Sequence, residues 1–410
     1  MINRSEKIHL LSERYSLDRW IPALLALTFF TLPLSSTAKS LSLSLAATAI
    51  LLAPTYRTQL YTFFCSTWGQ ATLLFFGLIL IASLWSPASF ADKSFVFNKY
   101  SKLLYLPVLA VGFQSPRSRT LSINAFLIAM MLTTLLGLLT IYGWLPFLPI
   151  DPDHIFRNHI ITGMMLAFAS YLCLLLGYHS EGSKRLGYGF LLLLFTYHVL
   201  FINEGRTGYV LYFLMLGICI FQLCSWQKAL IGLIAVGCWL LASYTISPVM
   251  HDRVQGAVEQ FQRYQNDDKN TDIGYRIQFH RFSYQLFQQH PWIGNGTASF
   301  IDNARKLNPV PAWPDKLIDP HSQYWLTLVE FGWLGIVILG LFFMRLMQAA
   351  WTLKDMKPVA FALIIPFLIG NATDSLLFYS GSGYFFIMFM GLCLGEATQI
   401  KQTSNNFPLV

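Results

Sequence analysis

Two positions in the chain carry side chains that could act in group transfer. His321 follows Pro320 where an apolar helical pattern begins, and a proline disfavours helix for the residue before it. Histidine titrates near neutral pH, so it could take a proton from a hydroxyl as a general base. Arg206 lies between two glycines, which let a ligand or a helix approach the backbone. The plainer readings are a structural histidine at a helix end and an arginine that pairs with Glu204.

Further ionisable residues stand at the borders of apolar runs, where charge is costly and often functional. Arg157 and His159 precede one run, Asp374 lies between the last two, and Glu330 is inside another. Arg157 could instead be a helix-end anchor whose stem covers apolar surface. Asp374 could cap a helix, and Glu330 could pair with an arginine or serve structure.

The elements that hold these residues are predicted to be membrane helices. Hydrophobic residues make up 55% of the chain and charged residues 12%, about half of what a soluble domain carries. Apolar runs of roughly helical length predict an all-α polytopic membrane protein with about twelve spans. The predicted spans are Trp20–Pro33, Ser40–Pro54, Gly69–Trp85, Tyr100–Phe113, Leu121–Trp144, His159–Tyr178, Leu186–Ile202, Thr207–Cys224, Ala229–Ile246, His321–Met347, Val359–Ala372 and Leu377–Ala397.

One long polar segment, Pro248–Pro320, interrupts this pattern and holds 16 of the 48 formal charges. Its periodicity predicts helices over Val249–Tyr264 and Tyr275–Gln289, which lie on the bilayer or, as we favour, cover a cavity. A turn follows at His290–Gly296, and its glycines allow close backbone approach. Asn303–Asp319 carries several prolines and is predicted to be an ordered irregular loop.

Lysine and arginine positions set the predicted orientation. With the N-terminus inside, inner loops and tails hold 14 basic residues and short outer loops hold 6. The excess places both termini in the cytoplasm and residues 248–320 outside. One membrane domain results, with about nine spans in 1–247, the outer loop region in 248–320 and about three spans in 321–410. The net charge of +8 has no compact basic domain to carry it, which argues against nucleic-acid binding.

Three segments resemble the O-antigen ligase and polymerase superfamily in the right order. His321–Gly335 is similar to the family signature, in which a histidine opens a helix and a Glu-x-Gly-x-x-Gly run follows. Glu204–Gly208 resembles the family's arginine–glycine segment. Arg276–Gly296 resembles its outer-loop helix and proline–glycine turn. One departure is Ser322, where the family often has asparagine.

The resemblance implies a glycosyltransferase of the bacterial inner membrane with its active site facing the periplasm. The donor would be a glycan on undecaprenyl diphosphate and the acceptor the lipid A–core oligosaccharide, with membrane lipids around them and no metal or other cofactor. His321 would activate the acceptor hydroxyl, and direct displacement would invert the anomeric centre. Arginines suit the leaving diphosphate because they stay charged and can donate two hydrogen bonds at once. The diphosphate candidates are Arg206, Arg276 and Arg157, and possible supporting residues are His159, His280, Gly294, Gly296 and Glu330.

The sequence is also compatible with other function classes. An O-antigen polymerase, which passes the glycan to another lipid-linked unit, is the alternative within the family. A relative that glycosylates protein often carries a further domain after its last span. A transporter or flippase would suit twelve spans, but such proteins place their sites near the bilayer midplane rather than at one face.

Overall fold

The computed structural model describes residues 17–144, 155–313 and 317–397, and over these ranges the chain forms helices and no strand. Both terminal segments, most of the loop before His159 and part of the proline-rich stretch therefore lie outside the described residues. The α-helices are α1 Ile21–Leu34, α2 Ser36–Leu52, α3 Arg57–Phe64, α4 Thr67–Ile81, α5 Phe90–Tyr100, α6 Tyr105–Gly112, α7 Pro116–Ile141, α8 His159–Tyr178, α9 Gly182–Phe201, α10 Arg206–Leu223, α11 Trp226–Ile246, α12 Pro248–Gln265, α13 Asp272–Gln289, α14 Ser299–Leu307, α15 Gln323–Trp351, α16 Lys357–Gly370 and α17 Ser380–Leu394.

The predicted all-helical class is confirmed for the described residues, and most helices lie where the apolar runs predicted them. Within the described residues, six helices are long and apolar enough to cross a membrane, or seven if the bent pair α2 and Pro54–Phe64 is one span. Three further apolar helices, α1, α16 and α17, are shorter. The chain is thus a membrane protein by length and composition of its helices, and the count of twelve spans stays a prediction.

Two sequence predictions are wrong in detail. The run Tyr100–Phe113 is broken into a 3₁₀ turn at Ser101–Leu104 and the eight-residue helix α6, so it is no single span. The segment predicted as an irregular loop begins with helix instead, because α14 covers Ser299–Leu307 before the chain turns at Asn308. The two helices predicted in the polar segment 248–320 are present, and they form α12 and α13.

Helix α15 is interrupted at Gly332, whose φ of +62° is left-handed backbone that favours glycine. The turn after α13 fills this break with backbone hydrogen bonds. Trp333 N donates to Pro291 O at 2.9 Å, and Gly296 N donates to Glu330 O at 2.9 Å. These bonds satisfy peptide groups that the interrupted helix leaves open, which is required inside a membrane protein. They fix the outer segment 248–320 to the helix that follows His321.

Candidate active site

His321 lies two residues before α15 rather than on its first turn, which corrects the sequence prediction. Its φ of +51° is left-handed, and Ser322 caps the helix by accepting a hydrogen bond from Trp325 N. The backbone N–H of His321 donates to Asp319 Oδ2 at 3.0 Å. This local bond stabilises an uncommon backbone conformation for a residue other than glycine.

The Nδ1 atom of His321 faces two oxygen partners. Tyr379 Oη lies 3.1 Å from it and Asp374 Oδ1 lies 3.4 Å from it. Tyr379 gives its own proton to Asp319 Oδ2 at 3.0 Å, so its oxygen is an acceptor toward the histidine, as is an ionised carboxylate. We therefore assign the proton of neutral His321 to Nδ1. This tautomer leaves the Nε2 lone pair for a substrate proton.

Charges around His321 favour its protonated form. Burial by itself lowers the pKa of the imidazole, but the Asp374 hydrogen bond and the negative charges of Asp319 and Asp374 outweigh burial and raise it above its usual value. Arg276 acts in the opposite direction. A base with a raised pKa binds a proton more strongly.

Asp374 joins three of the functional side chains. It is completely buried, and its Oδ2 accepts a hydrogen bond from Thr207 Oγ1 at 3.2 Å. Its Oδ1 lies 3.5 Å from Arg276 Nη2 in addition to its contact with His321. The sequence predicts Asp374 and His321 at the same membrane face, with a helix cap as the alternative for Asp374, but it predicts no contact between the two. The structure places it between the histidine, the outer helix α13 and the start of α10.

The loop that carries Asp374 and Tyr379 is held by hydrogen bonds from Gln323 and Lys102. Gln323 N donates to Asn371 O at 2.9 Å, and Phe378 N donates to Gln323 Oε1 at 3.0 Å. The buried Lys102 donates to the carbonyls of Leu377, Phe378 and Tyr379 at 2.8, 3.0 and 2.8 Å. These bonds hold the partners of His321 in fixed positions, which a preorganised site requires.

A cavity of about 260 Å³ opens beside His321. It brings together residues from six separate parts of the chain, three of them in the segment 248–320. Arginines and aromatic side chains both line its walls, so it can accept both an anionic group and a sugar face. The lining residues are His159, Ile160, Glu204, Arg206, Thr207, Arg253, Asp272, Tyr275, Arg276, Phe279, Trp313 and His321.

Arg206 has an acidic neighbour at long range. Its Nη2 lies 3.7 Å from Asp272 Oδ2, and these side chains are 30% and 63% exposed. A partly exposed pair at that distance is weak, so Asp272 leaves the guanidinium of Arg206 available to a bound anion. Glu204 pairs with Arg253 instead. The alternative reading, in which Arg206 pairs with Glu204, is thus not what the structure shows.

Arg157 does not line this cavity. Its guanidinium donates to the carbonyl of Leu32 at 2.7 Å and to the hydroxyl of Ser36. Burial lowers the pKa of Arg157. Among the three arginines predicted for one anion, the structure therefore brings together Arg206 and Arg276 and leaves Arg157 against α1 and α2.

The predicted supporting residues lie near the site in different ways. His159 lines the cavity, and the His280 imidazole stands against the backbone carbonyls of Pro320 and His321. Burial lowers the pKa of His280. Gly294, with φ +72°, packs on the Glu330–Phe331 peptide, where a Cβ would come within 2.3 Å. Gly296 and its neighbour Glu330 belong to the same interface.

Glu330 is buried within the membrane helix and does not face the cavity. Its carboxyl group lies near the backbone of Ala298 and Phe300 at the start of α14. Glu330 therefore joins the outer segment to α15, and it is not paired with an arginine among the described residues.

Residues 189–340 match the family model described as O-Antigen ligase. These residues belong to the O-antigen ligase superfamily. The ligase domain covers a little over a third of the chain and includes Arg206, Arg276 and His321. Asp374 and Tyr379 lie after it and complete the surroundings of the histidine. No curated protein matches the chain significantly.

The O-antigen ligase match agrees with the family resemblance and supports an enzyme of glycan transfer at the level of the family. The ligase domain alone does not contain the whole site. Asp374 could have been found from sequence only by asking which carboxylate at the same membrane face could orient a histidine. Tyr379 and Lys102 carry no comparable signal, because a tyrosine and a lysine at the border of a span usually anchor it.

Proposed function

We propose that this protein transfers a glycan from undecaprenyl diphosphate to the lipid A–core oligosaccharide at the periplasmic face of the bacterial inner membrane. The observation that carries the proposal is that His321, Arg206 and Arg276 line one cavity. A base for a hydroxyl and two fixed cations for a leaving diphosphate are the groups that this reaction needs.

In this proposal Arg206 and Arg276 bind the diphosphate. Negative charge accumulates on it as the glycosidic bond breaks, and partly buried guanidinium groups stabilise that charge in the transition state. The apolar tail of the donor would leave the cavity toward the membrane between α10 and the outer helices. Arg157 is not part of this donor site, since its guanidinium is engaged by Leu32 and Ser36.

His321 takes the proton of the acceptor hydroxyl at Nε2, and the oxygen attacks the anomeric carbon as the diphosphate leaves. Asp374 and Tyr379 hold the ring by Nδ1 and stabilise the imidazolium that forms. A single displacement of this kind inverts the anomeric configuration. The helices α12 and α13 cover the cavity with Arg253, Tyr275 and Arg276, in line with the covering role that we favoured for them.

The proposed topology puts both termini in the cytoplasm and the segment 248–320 in the periplasm, with about twelve membrane crossings. Support comes from the helix ends. The functional residues stand before or at the first residues of α8, α10 and α15, so they share one end of the bundle. A transporter would instead place its charged site near the bilayer midplane.

The direct test is transfer by the purified full-length protein in lipid nanodiscs. The substrates are undecaprenyl-diphosphate-linked glycan and lipid A–core. We expect product in which the new linkage is inverted, read by NMR of the anomeric proton, and loss of product in His321→Ala. Retained configuration would reject the single displacement, and near-normal transfer by correctly inserted His321→Ala would remove the base.

A polymerase is the second candidate, and a deletion strain separates the two. Loss of a ligase leaves core without polymer on lipid A while lipid-linked polymer accumulates. Loss of a polymerase leaves core with a single repeat. A substrate that accumulates on the cytoplasmic side of the membrane would instead indicate a flippase.

A further inference from the structure

A second group of lysines lies near Tyr379 and Tyr384 and does not line the arginine cavity. Lys39 Nζ stands 3.4 Å from the centre of the Tyr384 ring, and Lys102 Nζ stands 5.5 Å from the same ring. Lys99 Nζ lies 3.4 Å from Ser380 Oγ. All three ammonium groups thus surround the first turn of α17 and the residues just before it.

These lysines have no ion pair with an acidic residue in the described ranges 17–144, 155–313 and 317–397. Asp319 acts on Lys99 electrostatically, but its Oδ2 already accepts hydrogen bonds from His321 and Tyr379. The positive charges of Arg157 and Lys99 repel the charge of Lys39. Gathering like charges costs free energy, and a bound anion would offset that cost.

The three lysines differ in what they already bind. Lys102 is fully buried, and its three hydrogen bonds to carbonyls use all of its N–H groups. Lys39 interacts with an aromatic ring, a partner that leaves N–H groups available. Lys99 is partly exposed at the same face. Lys39 and Lys99 are therefore the members that can bind an anion, and Lys102 holds the carbonyls beside them.

An apolar groove of about 650 Å³ begins next to this group. It runs between α2 and the segment that leads into α6, and among its lining residues are Ala47, Thr48, Leu104 and Val108. Ser101 and Tyr105 also line this groove. The Tyr105 and Tyr384 rings lie 6.2 Å apart, and Lys39 covers the Tyr384 ring, so cations and groove are continuous.

A positive site joined to an apolar groove along membrane helices matches a phosphate attached to an acyl chain. We propose that Lys39 and Lys99, together with the groove between α2 and α6, bind the phosphorylated acyl lipid that serves as acceptor. The proposal rests on the proposed function and extends it, because a transferase must hold its acceptor on the side of the base opposite to the leaving group. Tyr379, which touches His321 and whose carbonyl binds Lys102, separates the two sites.

The kinetic test uses the full-length protein in nanodiscs of phosphatidylcholine, with native acceptor and with acceptor whose lipid A phosphates have been removed. We expect Lys39→Gln with Lys99→Gln to raise KM for native acceptor about tenfold or more, as loss of charge-assisted hydrogen bonds does. KM for the donor should not change. Removal of the phosphates should raise KM in the wild type by a similar factor and should add little in the double variant.

Matched controls accompany both parts of the site. Lys93→Gln removes one positive charge from the same helix as Lys99 but outside this cluster, and we expect an unchanged KM. Thr48→Trp, which fills the groove, should raise KM for the acceptor, whereas Leu45→Trp on the exposed face of α2 should not. Since Lys39 is buried, Lys99→Gln alone serves as the variant that keeps the fold.

Several results would overturn the proposal. Equal effects of the lysine substitutions on native and dephosphorylated acceptor would exclude phosphate recognition, and a raised KM for the donor would assign the lysines to the donor. Inhibition of wild-type transfer by phosphatidylglycerol that is lost in the double variant would identify bulk anionic lipid as the ligand. Acceptor binding can be measured by native mass spectrometry without any transfer reaction. Binding that depends on the phosphates and is lost in Lys99→Gln would support the lipid site even if no transfer were observed. In that case only the proposed function would be rejected.

Discussion

His321 and Asp374 are 53 residues apart in sequence, and Nδ1 of the histidine lies 3.4 Å from Oδ1 of the aspartate. The aspartate is buried, whereas the histidine lines the cavity that we propose for the substrates. An imidazole held at Nδ1 by a buried carboxylate presents Nε2 in a fixed direction. This arrangement makes Asp374 a positioning residue in the mechanism that we propose.

Asp374→Asn should change the pH dependence of transfer. The carboxylate contributes to the raised pKa of His321, so its loss lowers that pKa, and the acidic limb of kcat/KM moves to lower pH. The asparagine also fails to stabilise the imidazolium, and we expect kcat to fall about 100-fold. Initial rates between pH 5 and 9 measure both effects.

The control for this variant is Asp267→Asn, which removes a negative charge from an exposed position of the outer segment. It should leave the pH profile in place. A profile in Asp374→Asn that keeps its acidic limb, with only a lower plateau, would show that the aspartate supports the fold of the site and not the histidine.

Helix positions could be predicted from the sequence because an apolar run of about 20 residues has few alternatives in a membrane protein. His159–Tyr178 was predicted to the residue, and the two amphipathic helices of the outer segment were predicted within a few. The break at Gly332 was not predicted, since it depends on peptide groups that the distant turn at Pro291 supplies. Local periodicity does not contain that information.

The candidate site was predicted in part, as a set of polar residues at one membrane face. Arg206, Arg276 and His321 do share a cavity, whereas Arg157 binds elsewhere. The packing of α8 on α10 and of α13 on α15 decides which helix N-termini are neighbours. A single sequence does not show this packing. The left-handed backbone of His321 was likewise hidden, because it requires the acceptor that Asp319 provides.

Arg276→Ala should lower kcat/KM for the donor about 100-fold or more, since a fixed cation that faces the leaving group is lost. Arg276→Lys should recover part of the loss, because it keeps the charge but not the two parallel donors. Single-turnover rates with saturating acceptor measure the effect. Arg281→Ala, on the exposed face of the same helix, is the matched control. Equal losses in Arg276→Ala and Arg281→Ala would show a general effect of charge at the membrane surface.

Gly294→Ala should destabilise the protein by about 1–3 kcal/mol, as strained left-handed backbone with a steric clash does. The new Cβ would lie 2.3 Å from the Glu330 carbonyl carbon, and that backbone cannot move without opening the junction at Gly332. Thermal unfolding in detergent measures the change. Gly256→Ala in α12, where nothing lies within 4 Å of the added atom, should leave the melting temperature the same or higher. An unchanged melting temperature in Gly294→Ala would mean that the turn is not tightly docked in α15.

Tyr379→Phe and Asp319→Asn should have strongly non-additive effects on kcat/KM. The tyrosine hydroxyl lies 3.1 Å from His321 Nδ1 and donates to Asp319 at 3.0 Å, so each substitution breaks the same chain of hydrogen bonds. We expect kcat/KM to fall about tenfold in each variant and little further in the double variant, because residues of one network are not independent.

Asp319 also accepts a hydrogen bond from His321 N, so its replacement should lower the unfolding temperature. Tyr379→Phe should change that temperature less. Tyr379→Phe combined with Asp267→Asn is the additive reference. A double variant whose loss equals the product of the single losses would show that tyrosine and aspartate act on the histidine separately.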